Sequence, residues 1–388
     1  MQATFRAIPA AVGALGIVEV ARSGAEFSRS FAEVETIAQG TGEEIEGLRE
    51  RVLDLSIELG RAPVEVNAAL YQTLSAGFSD AAEASELLEQ GLRLATAGLA
   101  GSAESIDGLT SVLNAYRLGV EEAGEVSDAF FRTVELGKTT IPELASSIGQ
   151  VAPLASQLGV SYQELLAAVA ALTQQGLSTS EAFTQVRSTL TGLLRNSEQI
   201  DAALSRVGSS FDTNAVRARG LADVLNDVRT AVGSNEAELV SLFGRVDAVG
   251  GVLGLTGANA EVFAATTDGV TNSVNATDEA FDKIASSSGE RLRRAFSNIR
   301  TEAAALGKTL LDTSFETFDQ LNAPDPARVR EVNTLTQELL DGQRQVTQEL
   351  RNQFGALSPV TEATRALREE AEAAGLSFGE TARRLELL

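Results

Sequence analysis

The stretch Gly137–Leu194 decides the fold and reads GKTTIPELASSIGQVAPLASQLGVSYQELLAAVAALTQQGLSTSEAFTQVRSTLTGLL. Its hydroxyl and carboxylate residues recur at the spacing of capping boxes, which bond to the backbone N–H groups left unpaired at helix starts. The pairs are Thr140 with Glu143, Ser161 with Glu164, and Ser178 with Glu181. Gly159 and Gly176 precede the second and third pairs, where a left-handed residue ends the preceding helix. The stretch therefore predicts short helices joined by tight turns.

The same pattern extends through the first half of the chain, where glycines recur at steps of about 17 to 22 residues. Another capping box is predicted at Thr41 and Glu44, and Pro63 is placed for a first helical turn. Apolar residues between the glycines keep the helical period: Leu48, Val52, Leu55, Leu59, Leu87, Leu88, Leu92 and Leu94. No segment alternates with the period of a strand. The pattern predicts an all-α fold, and one compact domain rather than a solenoid, because the junctions share no side-chain signature.

Several of these turns resemble, in order and spacing, the core domain of phage tail tape-measure proteins. The similar segments are APLASQLG followed by VSYQEL, then TQQGLSTSEA, and earlier AGFSDAAEASELLEQGLRLATAG. A further similar segment joins Tyr116–Gly119 to Val126-Ser127-Asp128, in which Asp128 is interpreted as an ordinary solvated carboxylate. The resemblance is clearest over about residues 40–200 and weaker to about 310.

The resemblance implies a structural protein of the virion that lies in the tail lumen, sets tail length during assembly and is released on infection. It also implies assembly in the host cytoplasm. The implied partners are the tail tube, the tail tip or baseplate hub, tail assembly chaperones and further copies of the chain in a bundle. Contact with a membrane is expected only during infection.

The rest of the chain predicts two further regions after a compact core domain at 1–208. Residues 209–288 are expected to form a looser helical connector rich in Gly and Ser, with a hinge or a tight helix crossing at Gly250–Gly257. Residues 289–388 are expected to form long amphipathic helices, which would measure on the order of 150 Å if continuous. The pattern is still helical at Leu388, so we expect a longer protein or a chain cut mid-helix.

The third region opens with an apolar seam at coiled-coil spacing. It consists of Leu292, Phe296, Ile299, Ala303, Leu306 and Leu310. Steps of four and three over nearly three heptads suit either self-association as a coiled coil or packing against the same chain, and the pattern favours neither.

Composition excludes several classes of chemistry. The chain has no Cys and no His, which removes disulfides, thiolate zinc sites and the commonest general base. Its net charge of −23 opposes binding to nucleic acid, and no specific nucleic acid is expected as a partner. Both Gly-Lys-Thr triplets lack the earlier glycine of a phosphate-binding loop. The sequence therefore predicts no catalytic residues, no cofactor, no metal and no enzyme activity.

Two alternative functions remain open at this point. A helical scaffold that binds a protein partner would share the all-α pattern. A membrane-active injected protein would use Ile8–Val20, the one weakly membrane-like segment. That segment is much shorter than the ~20 apolar residues of a spanning helix, which favours a buried helix.

Overall fold

A computed structural model describes residues 8–287 except 213 and 234, together with Ser297, Thr301, Ala304 and Ala305; side chains are described from Arg22 onward, except that of Glu236. The described chain is all-α, as predicted, and contains no strand. All six residues of the predicted apolar seam lie outside the described part, so the coiled coil remains a prediction. The helices are α1 (Ile8–Glu35), α2 (Gly42–Leu59), α3 (Pro63–Ser75), α4 (Ala81–Ala97), α5 (Ser102–Tyr116), α6 (Ala123–Leu136), α7 (Ile141–Ile148), α8 (Ala152–Leu158), α9 (Tyr162–Gln174), α10 (Thr179–Arg195), α11 (Ser197–Leu204), α12 (Ala215–Arg219), α13 (Leu221–Val232), α14 (Glu236–Phe243), α15 (Val246–Leu255), α16 (Ala260–Thr271) and α17 (Ala276–Ala285).

The predicted helix starts are confirmed at the reciprocal capping boxes. The backbone N–H groups of Thr41, Thr140 and Ser178 each donate to the glutamate three residues later, at 2.6, 3.1 and 3.0 Å, and their hydroxyls accept from that glutamate's N–H. The predicted turn glycines are left-handed, with φ of 79° at Gly159 and 100° at Gly176. Local sequence thus sets the starts of α2, α7 and α10 and the turns that follow α8 and α9.

Helix α9 lies at the centre of the compact unit Ala25–Ala305. All eight residues Leu165–Leu172 have no exposed surface, which is typical of a helix surrounded by others on every side. Helices α6, α8, α10, α15 and α16 all pack against it. The predicted helical-period leucines and valine of α2 and α4 are likewise all buried.

The described residues after 208 pack onto these central helices. Helix α15 lies on α10, α16 on α9 and α6, and α17 on α4 and α6. The short helix α12 precedes them in this region. The proposed division of the chain at 208 and 288 stays a prediction.

The glycines of α15 form a tight helix crossing rather than a hinge. A Cβ atom at Gly251 would lie 3.0 Å from the backbone oxygen of Gln185 in α10. The Oγ1 of Thr189 donates to the carbonyl oxygen of Ala248 at 3.1 Å, which joins the two helices at the same place. Close approach of the two backbones therefore requires glycine here.

In the described residues, no single helix has the length and apolar composition of a membrane span. Helices α15 and α16, joined through a short turn and bent by 48°, pass that test only as a pair. Val252, Leu255, Phe263 and Val270 of this pair are buried inside the protein.

Candidate interaction surface

Two carboxylates of the central helices cap helices that come much later in the chain. The first is Asp128 of α6, whose side chain accepts the backbone N–H groups of Asn275 and Thr277 at 2.7 and 2.9 Å. The interpretation of Asp128 as a solvated carboxylate is therefore wrong, because the side chain is half-buried and holds the start of α17. Burial raises the pKa of Asp128, while the hydrogen bonds from Thr277 and Asn275 oppose that rise.

The second is Glu164 of α9. The Ser161 hydroxyl accepts the Glu164 N–H at 3.1 Å, as predicted. The Glu164 carboxylate, however, accepts the N–H of Leu221, the first residue of α13, at 2.8 Å. Burial raises the pKa of Glu164, and the hydrogen bonds from Leu221 and Ser161 oppose the rise. Helix α13 has no side-chain cap of its own, so Glu164 supplies one from a distant part of the chain.

We expect Glu164→Ala to lower the free energy of unfolding by about 1–3 kcal/mol, because the N–H of Leu221 loses its acceptor. Glu164→Gln keeps an acceptor oxygen and is expected to lower the free energy of unfolding by less.

Since the folded-state pKa of Glu164 lies above its ordinary value of 4.5, the Glu164 carboxylate binds a proton more readily in the folded protein than in the unfolded chain. Wild type should therefore gain stability relative to Glu164→Gln as the pH falls from neutral toward 4.5.

Urea denaturation of wild type and Glu164→Gln from neutral pH to below pH 4.5 measures the effect. Glu181→Gln is the matched control, since hydrogen bonds from Ser178 hold the pKa of exposed Glu181 below 4.5. The contribution of Glu181 to the free energy of unfolding is present above pH 4.5 and is lost as the pH falls below it. The pH dependence of stability therefore has the opposite sign for Glu181 and Glu164. An identical slope for both variants would contradict the assignment of Glu164.

A polar groove of about 420 Å³ runs along α10, where the helix faces the end of α7 and the start of α15. The buried side chains of Val151 and Phe183 form part of its wall. The hydroxyl groups that line it are those of Ser147, Ser180, Thr184, Ser188 and Thr191. Gln150 lines it as well. No carboxylate belongs to the lining.

Three arginines, Arg187, Arg195 and Arg245, give the groove its charge. All three are exposed. Arg245 is paired with Asp247 at 3.0 Å, whereas no carboxylate in the described residues pairs with the guanidinium group of Arg187 or Arg195. This is a local cluster of positive charge on a chain whose net charge is −23.

The described residues do not bring together a group of acidic side chains able to hold a metal ion. The Gly-Lys-Thr triplet at 137–139 is a helix junction, where the N–H of Lys138 donates to the Thr173 hydroxyl at 3.0 Å. None of the sequence motifs indicates the arginine groove. A sequence signal does exist, because residues 182–197 contain two arginines and no acid.

Comparison with known proteins assigns the family. The family described as "Phage-related minor tail protein" matches residues 49–244, which is half of the chain. The chain belongs to this family. The matched segment runs from α2 to the end of α14 and includes every residue of the groove except Arg245.

Two relatives of this phage tail protein carry more specific names. The "Probable tape measure protein" of Clostridium phage phiCD119 is 28% identical over 315 residues, which are 78% of this chain and 33% of the relative. The "Tape measure protein" of Pneumococcus phage Dp-1 is 26% identical over 261 residues, 66% of this chain and 22% of the relative. No solved structure matches the chain.

Membership of the family confirms the predicted resemblance and makes the chain a phage tail protein. The names of both relatives are those of structural proteins rather than enzymes. The chain spans between about a fifth and a third of the length of these relatives.

Proposed function

We propose that this protein is a tape-measure protein that sets tail length during assembly. The observation that carries the proposal is the similarity to two tape-measure proteins over 78% and 66% of the chain. Physical chemistry supports it, because a helix rises by about 1.5 Å per residue and so converts residue number into distance. The compact unit Ala25–Ala305 is folded and contributes little length, so the ruler is assigned to residues after it.

The proposal extends to the assembly that the resemblance implies. The chain lies in the tail lumen as a bundle of copies, contacts the tail tube, the tail tip or baseplate hub and the assembly chaperones, and leaves on infection. Its negative charge suits a lumen through which DNA later passes, since like charges repel. Tight binding of DNA by this chain at low salt would contradict this repulsion between the chain and DNA.

An in-frame deletion of residues 328–388 in the phage tests the ruler. Removal of about 60 residues is expected to shorten the tail by about 90 Å, measured by electron microscopy of purified particles. The control replaces the same residues by an unrelated helical sequence of equal length, which should restore the tail length. An unchanged length after the deletion, or a shortened tail in the control, would refute a ruler in this segment.

A further inference from the structure

The geometry points to the arginine groove of α10 as a docking site for an acidic segment of a partner protein. The inference is independent of the tail-length role, because it rests on the groove alone. The protein as a whole carries a charge of −23, yet the groove lining contains three arginines and no carboxylate. Arg187 and Arg195 are without a carboxylate partner in the described part of the chain and are therefore available to an external anion.

The spacing of the charges favours an extended ligand over a small anion. Arg187 and Arg195 are on the same helix, eight residues apart, which places them about 12 Å apart along its axis. A single phosphate or carboxylate cannot reach both. Arg245 lies on the other side, at the start of α15, where it is paired with Asp247. An extended peptide advances by about 3.3 Å per residue, so carboxylates about four residues apart match this separation.

The rest of the lining favours a polypeptide over a nucleic acid. Ser188 lies between the arginines and offers a hydroxyl that can donate to a peptide carbonyl or accept from its N–H. The hydroxyls of Thr184 and Thr191 donate to the carbonyl oxygens of Ser180 and Arg187, so they offer a peptide only acceptor lone pairs. Val151 and Phe183 offer an apolar wall to the methylene groups of its side chains. A volume of about 420 Å³ suits a short segment. A long polyanion would also extend beyond the groove, and the net charge of −23 on the protein repels it.

Each guanidinium can hold a carboxylate through two parallel hydrogen bonds, which is the geometry in which arginine binds acids best. The Ser188 hydroxyl can donate to a remaining carboxylate lone pair. Because the groove is open to solvent, binding is expected to weaken with increasing ionic strength.

Fluorescence anisotropy of labelled hexaglutamate with the full chain tests the site at low ionic strength. The groove variant Arg187→Gln/Arg195→Gln is expected to bind at least about tenfold more weakly than wild type. The control Arg29→Gln/Lys138→Gln removes the same two charges at exposed positions outside the groove and should bind as wild type does. Thermal unfolding of each protein checks that the exposed substitutions leave the fold intact.

A labelled oligothymidylate of similar charge is titrated in parallel. Binding of hexaglutamate that the groove variant loses and the control keeps supports the site. The inference is overturned if wild type does not bind hexaglutamate, if both variants weaken it equally, or if oligothymidylate binds the groove more tightly than hexaglutamate does.

Discussion

Phe263→Ala is expected to lower the free energy of unfolding by about 3–5 kcal/mol, the usual effect of removing a buried phenylalanine. Phe263 lies in α16 and is fully buried. Helix α16 packs on α9, whose residues Leu165–Leu172 have no exposed surface, so neighbouring side chains have little room to close a cavity. Urea denaturation followed by circular dichroism measures the change.

The same experiment shows whether the residues after 208 unfold together with those before them. If α16 belongs to the cooperative core, the variant shifts the whole transition to lower urea and leaves its slope unchanged. Val274→Ala is the control, since Val274 is 76% exposed and its truncation should have almost no effect. A main transition that stays in place while a second, smaller one separates would contradict a single core.

The positions of the helices can be predicted from the sequence because the residues that start and end a helix are local. A capping box needs only residues three positions apart, and Thr41, Thr140 and Ser178 have their glutamates at that distance. A left-handed turn needs only a glycine, as at Gly159. Each of these contacts forms within about one helical turn, so the packing of neighbouring helices does not change where these helices begin or end.

The hydrogen-bond partners of the half-buried carboxylates could not be predicted in this way. Glu164 has the spacing of a capping box, yet its carboxylate bonds to Leu221, 57 positions along the chain. Asp128 bonds to Thr277, 149 positions away. Which of two possible donors a carboxylate reaches depends on how distant helices pack, and sequence spacing holds no information on that.

The groove was missed for a related reason. Arg187 and Arg195 share one face of α10, and that much follows from the sequence. Arg245 approaches them only because α15 crosses α10 closely, through the glycines that were predicted as either a hinge or a tight crossing. The absence of a side chain at Gly251 therefore determines both the packing of α15 and the shape of the groove.

Gly251→Leu is expected to lower the free energy of unfolding by about 2 kcal/mol. Leucine favours a helix over glycine by roughly 1 kcal/mol, but overpacking a tight contact costs about 3 kcal/mol. The cost dominates because the new Cβ would meet the backbone oxygen of Gln185 at 3.0 Å, and a backbone atom cannot turn aside as a side chain can. The two helices must separate, so hexaglutamate binding in the groove should weaken as well.

Gly47→Leu is the matched control, because Gly47 is also inside a helix, α2, and nothing lies within 4 Å of a Cβ built there. It should raise the free energy of unfolding by roughly 1 kcal/mol through helix propensity alone. Opposite signs for the same substitution, measured by urea denaturation, isolate the contact of α15 with α10 as the cause. If Gly251→Leu stabilised the protein as Gly47→Leu does, the crossing would be loose enough to act as a hinge, and Arg245 would have no fixed place in the groove.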